Sequence, residues 1–211
     1  RHRALMRRVY ELRREKPGVL RASEMLALVQ SSMVMPKEEH AQFLEQLIPQ
    51  LEKRPAPRDN KVKIYLAGQL CQAVKVEVLD LIEEVGGTVV WDDLYTGYRY
   101  VASDVSNERP PVEALAWRYL NLGVPCPTRT EVKREWADFV IANVRESGAR
   151  GVIVLLLKQC CPHLLYQPYL RDMLDQAGIP HILITTEHEL VSLEGTRTRL
   201  QAFMEMLRKG V

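Results

Sequence analysis

No stretch of this 211-residue sequence approaches the ~20 consecutive apolar residues that a bilayer-spanning helix requires. No secretory apolar core follows the charged opening "RHRALMRRVYELRREK". Both absences lead to the expectation of a cytoplasmic protein. Surplus charge is missing as well. Against 27 acidic residues stand 29 Lys and Arg, a net of +2, so nothing argues for a nucleic acid or an anionic membrane as partner. The basic opening reads as the solvated face of a helix. Cysteine is scarce, with four in all, none of them in residues 1–60 and no C-x-x-C pair. That excludes a disulfide scaffold and makes no case for a self-contained zinc ribbon. No G-x-G-x-x-G or P-loop follows the first predicted strand, which speaks against a nucleotide fold. Internal repeats and low-complexity segments are absent. The first residue is Arg, not Met, so an upstream continuation is expected.

What is present alternates. Residues 1–60 read as a helical segment: Leu5, Val9 and Leu12 share a helical face, and "ASEMLALVQSS" and "KEEHAQFLEQLIPQLEKR" repeat the amphipathic period, with Ser23 as the cap before Glu24. "RPAPRDN" (54–60) reads as a linker. From residue 61 to 211, strands "KVKIYLAG", "TVVWDD", "ARGVIVLLLK" and "IPHILITTE" alternate with helices. One helix carries Val76, Leu79 and Ile82 on a single face. Another begins at a Thr128-x-x-Glu131 capping box, and a third is broken or kinked near Pro168. Alternation of this kind predicts an α/β unit: a doubly wound parallel sheet of four or more strands with helices on both faces, preceded by the N-terminal helices. Ligands of such sheets bind beyond the carboxyl ends of the strands.

The cysteines fall at that edge. Cys71 follows the first strand, Cys126 lies between Pro125 and Pro127 before the Thr128 cap, and Cys160 and Cys161 follow the third strand. Core-filling cysteines would instead occupy strands or apolar helix faces. A helix N-terminus beyond Cys126, and Lys158 two residues before Cys160, both favour thiolate over thiol. Spacing alone leaves two readings open, a metal or cluster site and incidental buried thiols.

The segment "RGVIVLLLKQCCPHLLYQPYLRDMLDQAGIPHILITTEHE", followed by "EGTRTRLQAFMEML", resembles the carboxyl-terminal part of subunits of the 2-hydroxyacyl-CoA dehydratase / benzoyl-CoA reductase family. "KVKIYLAG", "EEVGGTVVWDDLYTGYRY" and "RYLNLGVPCPTRT" match in order upstream, and "RHRALMRRVYELRREKPGVLRASEMLALV" resembles the helical stretch between that family's two domains. The resemblance covers nearly the whole chain and implies a subunit working with a homologous partner. It further implies a [4Fe-4S] cluster held by three cysteines, an ATP-dependent iron–sulfur activator that delivers a low-potential electron, and an acyl-CoA or aroyl-CoA substrate. By position, Cys126 and Cys160 correspond to the two carboxyl-terminal ligands, with Cys161 the competitor of Cys160. The third ligand is expected from a domain outside this chain.

Further candidates carry two readings each. Asp92 and Asp93 cap a structural turn, or the loop beyond them brings Gly97 and Arg99 near substrate or cluster. Glu187 and Glu189 transfer protons or cap a loop. His188 is exposed or transfers a proton, and Glu187 and His188 are the catalytic candidates. His163 caps a helix or flanks the cluster, while Arg197 and Arg199 meet CoA phosphates or a partner subunit, or else pack or form interdomain salt bridges. Two competing functions stand beside the iron–sulfur acyl-CoA enzyme that the resemblance implies. One is a cluster-less assembly subunit of the same fold, favoured by Tyr95 where some members carry cysteine. The other is a generic ligand-binding α/β domain.

Overall fold

The structure, a computed structural model, describes residues 1–57, 60–68, 74–121, 123–126, 135–187 and 192–210. Four strands, β1 (Val62–Ala67), β2 (Gly87–Asp92), β3 (Gly151–Leu157) and β4 (His181–Thr186), form one all-parallel sheet in the order β2-β1-β3-β4. Every residue of β3 is buried, as expected of a central strand whose apolar run never alternates with polar residues.

Side-chain alternation divides the sheet into two faces. Val62, Ile64 and Leu66 of β1 and Ile153, Leu155 and Leu157 of β3 pack against α4 (Val76–Glu84) and α9 (Glu194–Lys209). Tyr65, Ala67, Val152, Val154 and Leu156 face the opposite core. That second core is closed by α1 (His2–Glu15), α7 (Glu135–Ser147) and α8 (Cys161–Gln176). The predicted parallel sheet with helices on both faces is therefore present. A register shift between Ile64 and Tyr65 pairs Tyr65 with Trp91, which returns Trp91 to the α1 side.

The N-terminal helices α1, α2 (Ala22–Val34) and α3 (Lys37–Lys53) contribute directly to these cores, through Met6, Val9, Tyr10, Val29 and Leu44 on one face and Ala22 and Leu26 on the other. One residue of the basic opening departs from the solvated-face expectation. Arg13 is 1% exposed and bonds Asp92 at 3.1 Å, while Tyr10 donates to the same carboxylate at 3.4 Å. An arginine tolerates this depth only with a carboxylate partner, and breaking such a pair costs about 3–5 kcal/mol.

Several local expectations are corrected. Helix α2 starts at Ala22 with Arg21, not Ser23, as its cap residue. The Glu24 carboxylate accepts the Arg21 N–H at 2.7 Å, and Glu83 of α4 accepts the Ala22 N–H at 2.8 Å. Val76 is 45% exposed, and Val78, Leu79, Leu81 and Ile82 form the buried face of α4 instead, because the helix starts at Val76 itself. Helix α8 runs unbroken through Pro168, held by Leu170 and Leu174, which are buried in the α7 side of the core. The Thr128–Glu131 capping box and Cys71 lie outside the described residues. Short helices α5 (Tyr98–Val101) and α6 (Pro111–Leu120) fill the connection after β2. Among the described residues no helix is long and apolar enough to cross a membrane.

Candidate functional site

The order β2-β1-β3-β4 places the reversal of winding between β1 and β3, so the crevice of such a sheet opens beyond the ends of those two strands. Gly68 closes β1 there with φ of +115°, and a Cβ at this position would sit 2.4 Å from the Leu155 carbonyl oxygen. Only glycine permits that approach. Across the reversal β3 ends at Leu157, and Gln159, with φ of +67°, turns the chain so that Cys160 becomes the residue before α8.

Cys160 is buried and Cys161, on the first turn of α8, is exposed. The Cys160 Sγ lies 3.5 Å from His163 Nδ1. His163 is itself buried, with its ring edge-on to Trp136 at 5.9 Å between centroids. Burial and then the positive charge of Arg99 push its pKa down to about 4, so the imidazole is neutral at pH 7. Its Nε2 is buried without a hydrogen-bond partner among the described residues.

Cys126 is half-buried, and its Sγ lies 3.1 Å from the Tyr95 hydroxyl. Arg99 fixes this region. Its Nη1 donates to the carbonyls of Val124 (3.2 Å) and Pro125 (2.8 Å), directly before Cys126, and its guanidinium stacks on the Tyr95 ring at 4.9 Å. Arg99 is in turn held by Asp93, through its carbonyl (2.6 Å) and its carboxylate (3.2 Å). Fully buried Asp93 accepts two further bonds, from the Gly68 N–H at 3.1 Å and from the Trp136 indole N–H. Burial pushes the Asp93 carboxyl up, and Arg99 and Trp136 pull it back down. Burial likewise raises the Tyr95 phenol, and its contact with Cys126 adds to that rise.

These contacts link the two thiols without a gap: Cys126 to Tyr95, Tyr95 to Arg99, Arg99 to Asp93, Asp93 to Trp136, Trp136 to His163, and His163 to Cys160. Tyr95 and Trp136 carried no ligand signal in the sequence. Their roles arise because the turn after β2, which carries Tyr95, and α7, which carries Trp136, meet around Asp93 and Arg99.

Other candidates separate from this network. Asp92 is committed to Arg13 and to the turn, accepting the Tyr98 N–H at 3.0 Å. Gly97 is required beneath it, since a Cβ there would lie 2.1 Å from Asp92 Oδ1. Glu187, after β4, is exposed and ion-paired with exposed Lys158, so that lysine's charge is directed at a carboxylate. Arg197 pairs with Glu84 at 2.7 Å and Arg199 donates to the Leu183 carbonyl at 2.8 Å, both of which are packing roles. His188 and Glu189 lie outside the described residues.

The donor set suits iron in its chemistry, since thiols, one buried and one half-buried, are ligands for a thiophilic metal. It does not close a coordination shell alone, because among the described residues no three His, Cys, Asp or Glu side chains converge.

Comparison with known proteins agrees in extent with the resemblance. The (R)-phenyllactyl-CoA dehydratase beta subunit of Clostridium sporogenes is 26% identical over 207 residues, covering 98% of this chain and 54% of that protein. A benzoyl-CoA reductase subunit of Thauera aromatica is 24% identical over 208 residues, and the lactoyl-CoA dehydratase beta subunit of Anaerotignum propionicum 29% identical over 210; for each the match covers 98% of this chain and 54% of the relative. The chain thus spans about half the length of these relatives. Residues 1–207 match the family described as 2-hydroxyglutaryl-CoA dehydratase, D-component, and the chain belongs to that family.

Proposed function

We propose that this chain is part of a subunit of an acyl-CoA dehydratase or reductase, in which Cys126 and Cys160 are ligands of a [4Fe-4S] cluster. The observation that carries the reading is the continuous set of contacts joining those two sulfurs across the β1/β3 crevice. A third cysteine comes from outside the described residues, and exposed Cys161 is not a ligand. In this reading residues 1–60 are the helical connection to a preceding domain, and residues 61–211 are the cluster- and substrate-binding unit.

A cluster of this type supplies one-electron transfer at low potential. The chain's own residues do the rest. Asp93 and Arg99 hold the Cys126 backbone rigid through the Val124 and Pro125 carbonyls. Trp136 and neutral His163 form an apolar wall that keeps water from Cys160. Glu187, at the same strand edge, and His188 are the candidates to move a proton to or from a CoA thioester. A homologous subunit and an ATP-dependent activator are the partners this function needs.

Anaerobic reconstitution of the intact subunit with iron and sulfide tests the reading. The expected result is a broad charge-transfer absorbance that is lost in Cys126→Ser and in Cys160→Ser and retained in Cys161→Ser. Failure of the intact subunit to take up iron overturns it.

A further inference from the structure

Helix α6 carries its apolar side on the outside. Of its ten residues only Ala114 is buried, while Val112, Leu115, Tyr119 and Leu120 are 57–81% exposed. At about 100° of rotation per residue, these four and exposed Ala116 share one arc of about 140°. Ala114 projects from the opposite side of the helix. An apolar arc of that width ordinarily faces a core, and here it faces solvent. A helix of this length is also too short to hold its shape in water by propensity alone.

Polar contacts fix the direction of the arc without covering it. From behind, Arg118 donates through Nε to the Ser103 carbonyl at 3.0 Å. On the flank, Arg109 pairs with Glu113 at 2.8 Å and its guanidinium lies 5.2 Å from the centre of the Trp117 ring. An apolar centre with a polar border is the anatomy of an interface.

Two observations identify what covers it. The matches use 98% of this chain but only 54% of each relative, so nearly half of each relative has no counterpart here. In addition, Arg1 and Tyr119 line one cleft, so a polypeptide continuing upstream of Arg1 leaves the body beside α6. A second copy of the chain fits this face less well. Arg3 and Arg118 border the same cleft, and pairing α6 with itself about a two-fold axis would bring two such basic borders together.

We propose that the outward face of α6 is an intramolecular docking surface, covered in the complete subunit by the polypeptide that precedes Arg1. That segment presents an apolar patch to Val112, Leu115, Tyr119 and Leu120, with carboxylates opposite Arg3 and Arg118. The inference rests on the reading above that the chain is part of a longer subunit.

The test is site-directed photo-crosslinking in the intact subunit. The photoreactive residue p-benzoylphenylalanine replaces Leu115 in one variant and Tyr119 in another, and cross-linked peptides are identified by mass spectrometry after irradiation. The expected product has the mass of one polypeptide, with both positions joined to peptides upstream of Arg1. Adding Leu115→Glu to the Tyr119 probe should lower the yield roughly tenfold, because the charge must be desolvated on docking. Near-ultraviolet circular dichroism verifies that each variant is folded. Links between two copies, links to a different subunit, no link to any protein, or a yield indifferent to Leu115→Glu overturn the proposal. The mass of the purified subunit is measured first. A mass no greater than that of these 211 residues removes both this proposal and the reading it rests on. A greater mass without upstream links removes the proposal alone.

Discussion

Replacing Arg99 with methionine tests the network that joins the two thiols. The guanidinium makes four bonds: two to Asp93, at 2.6 and 3.2 Å, and two to the carbonyls of Val124 and Pro125, at 3.2 and 2.8 Å. Methionine fills most of the volume and satisfies none of them. The fully buried Asp93 carboxylate then keeps only the Gly68 and Trp136 donors. Removing one partner of a buried ion pair costs about 3–5 kcal/mol, against a total stability of roughly 5–15 kcal/mol. With a urea dependence of about 2 kcal/mol/M, the unfolding midpoint should fall by about 2 M. The loss should also depend on pH. Burial already raises the Asp93 carboxyl in the folded protein, and losing Arg99 raises it further. A carboxyl whose folded pKa lies above its unfolded value of about 3.9 contributes stability that is fully present below that value. That contribution disappears as pH rises through the folded pKa. The Arg99→Met penalty should therefore be smaller at pH 5 than at pH 8, as read from urea titrations followed by far-ultraviolet circular dichroism. A penalty below about 1 kcal/mol, or one identical at both pH values, would refute the assignment of Asp93 and Arg99 as a coupled buried pair.

Gly68→Ala should destabilise by at least about 2 kcal/mol, because it adds left-handed strain to a Cβ that meets the Leu155 carbonyl; a midpoint shift near zero in thermal melts would show that the strand ends move apart freely. The His2–His40 pair, bonded at 3.0 Å, has both pKa values lowered, chiefly by burial, with His2 at about 4. Such groups contribute stability that is present above their unfolded pKa and lost as pH falls through the folded one, so wild type should lose stability between about pH 6.5 and 4. His40→Leu should flatten that slope, and equal slopes in the two proteins would contradict it. In reconstituted protein, Tyr95→Phe removes the hydroxyl beside Cys126 Sγ. The cluster's midpoint, measured by redox titration with paramagnetic resonance detection, should move to more negative potential, since a hydrogen bond to a ligand sulfur favours the reduced state; an unchanged midpoint would mean that the contact does not persist with iron bound.

The sheet was legible because its signals are local. The apolar run "GVIVLLL", bounded by Gly151 and Lys158, has no polar residue to place in solvent and must become a central strand. The 3.6-residue period of "VEVLDLIEE" likewise marks a helix, although which residues faced inward depended on where it began, and Val76 fell outside that face. The position of Cys160 just beyond the end of β3 also followed from pattern, since it is a matter of which residue comes after which strand. Helix caps were less legible, as at Ala22, where a carboxylate from a distant helix decides the first turn.

Partnership was not encoded locally. Arg13 looks like any other arginine of a basic helix until the fold sets it against Asp92, 79 positions away. Tyr95, Arg99 and Trp136 come from separate segments, and their contacts exist only once the turn after β2, α5 and α7 converge. Residue order determines backbone hydrogen bonding and which side chains avoid water, because both depend on near neighbours and period. Which charge meets which, and which thiol is buried and which exposed, is decided by long-range packing, because burial and Coulomb energy depend on distances through space.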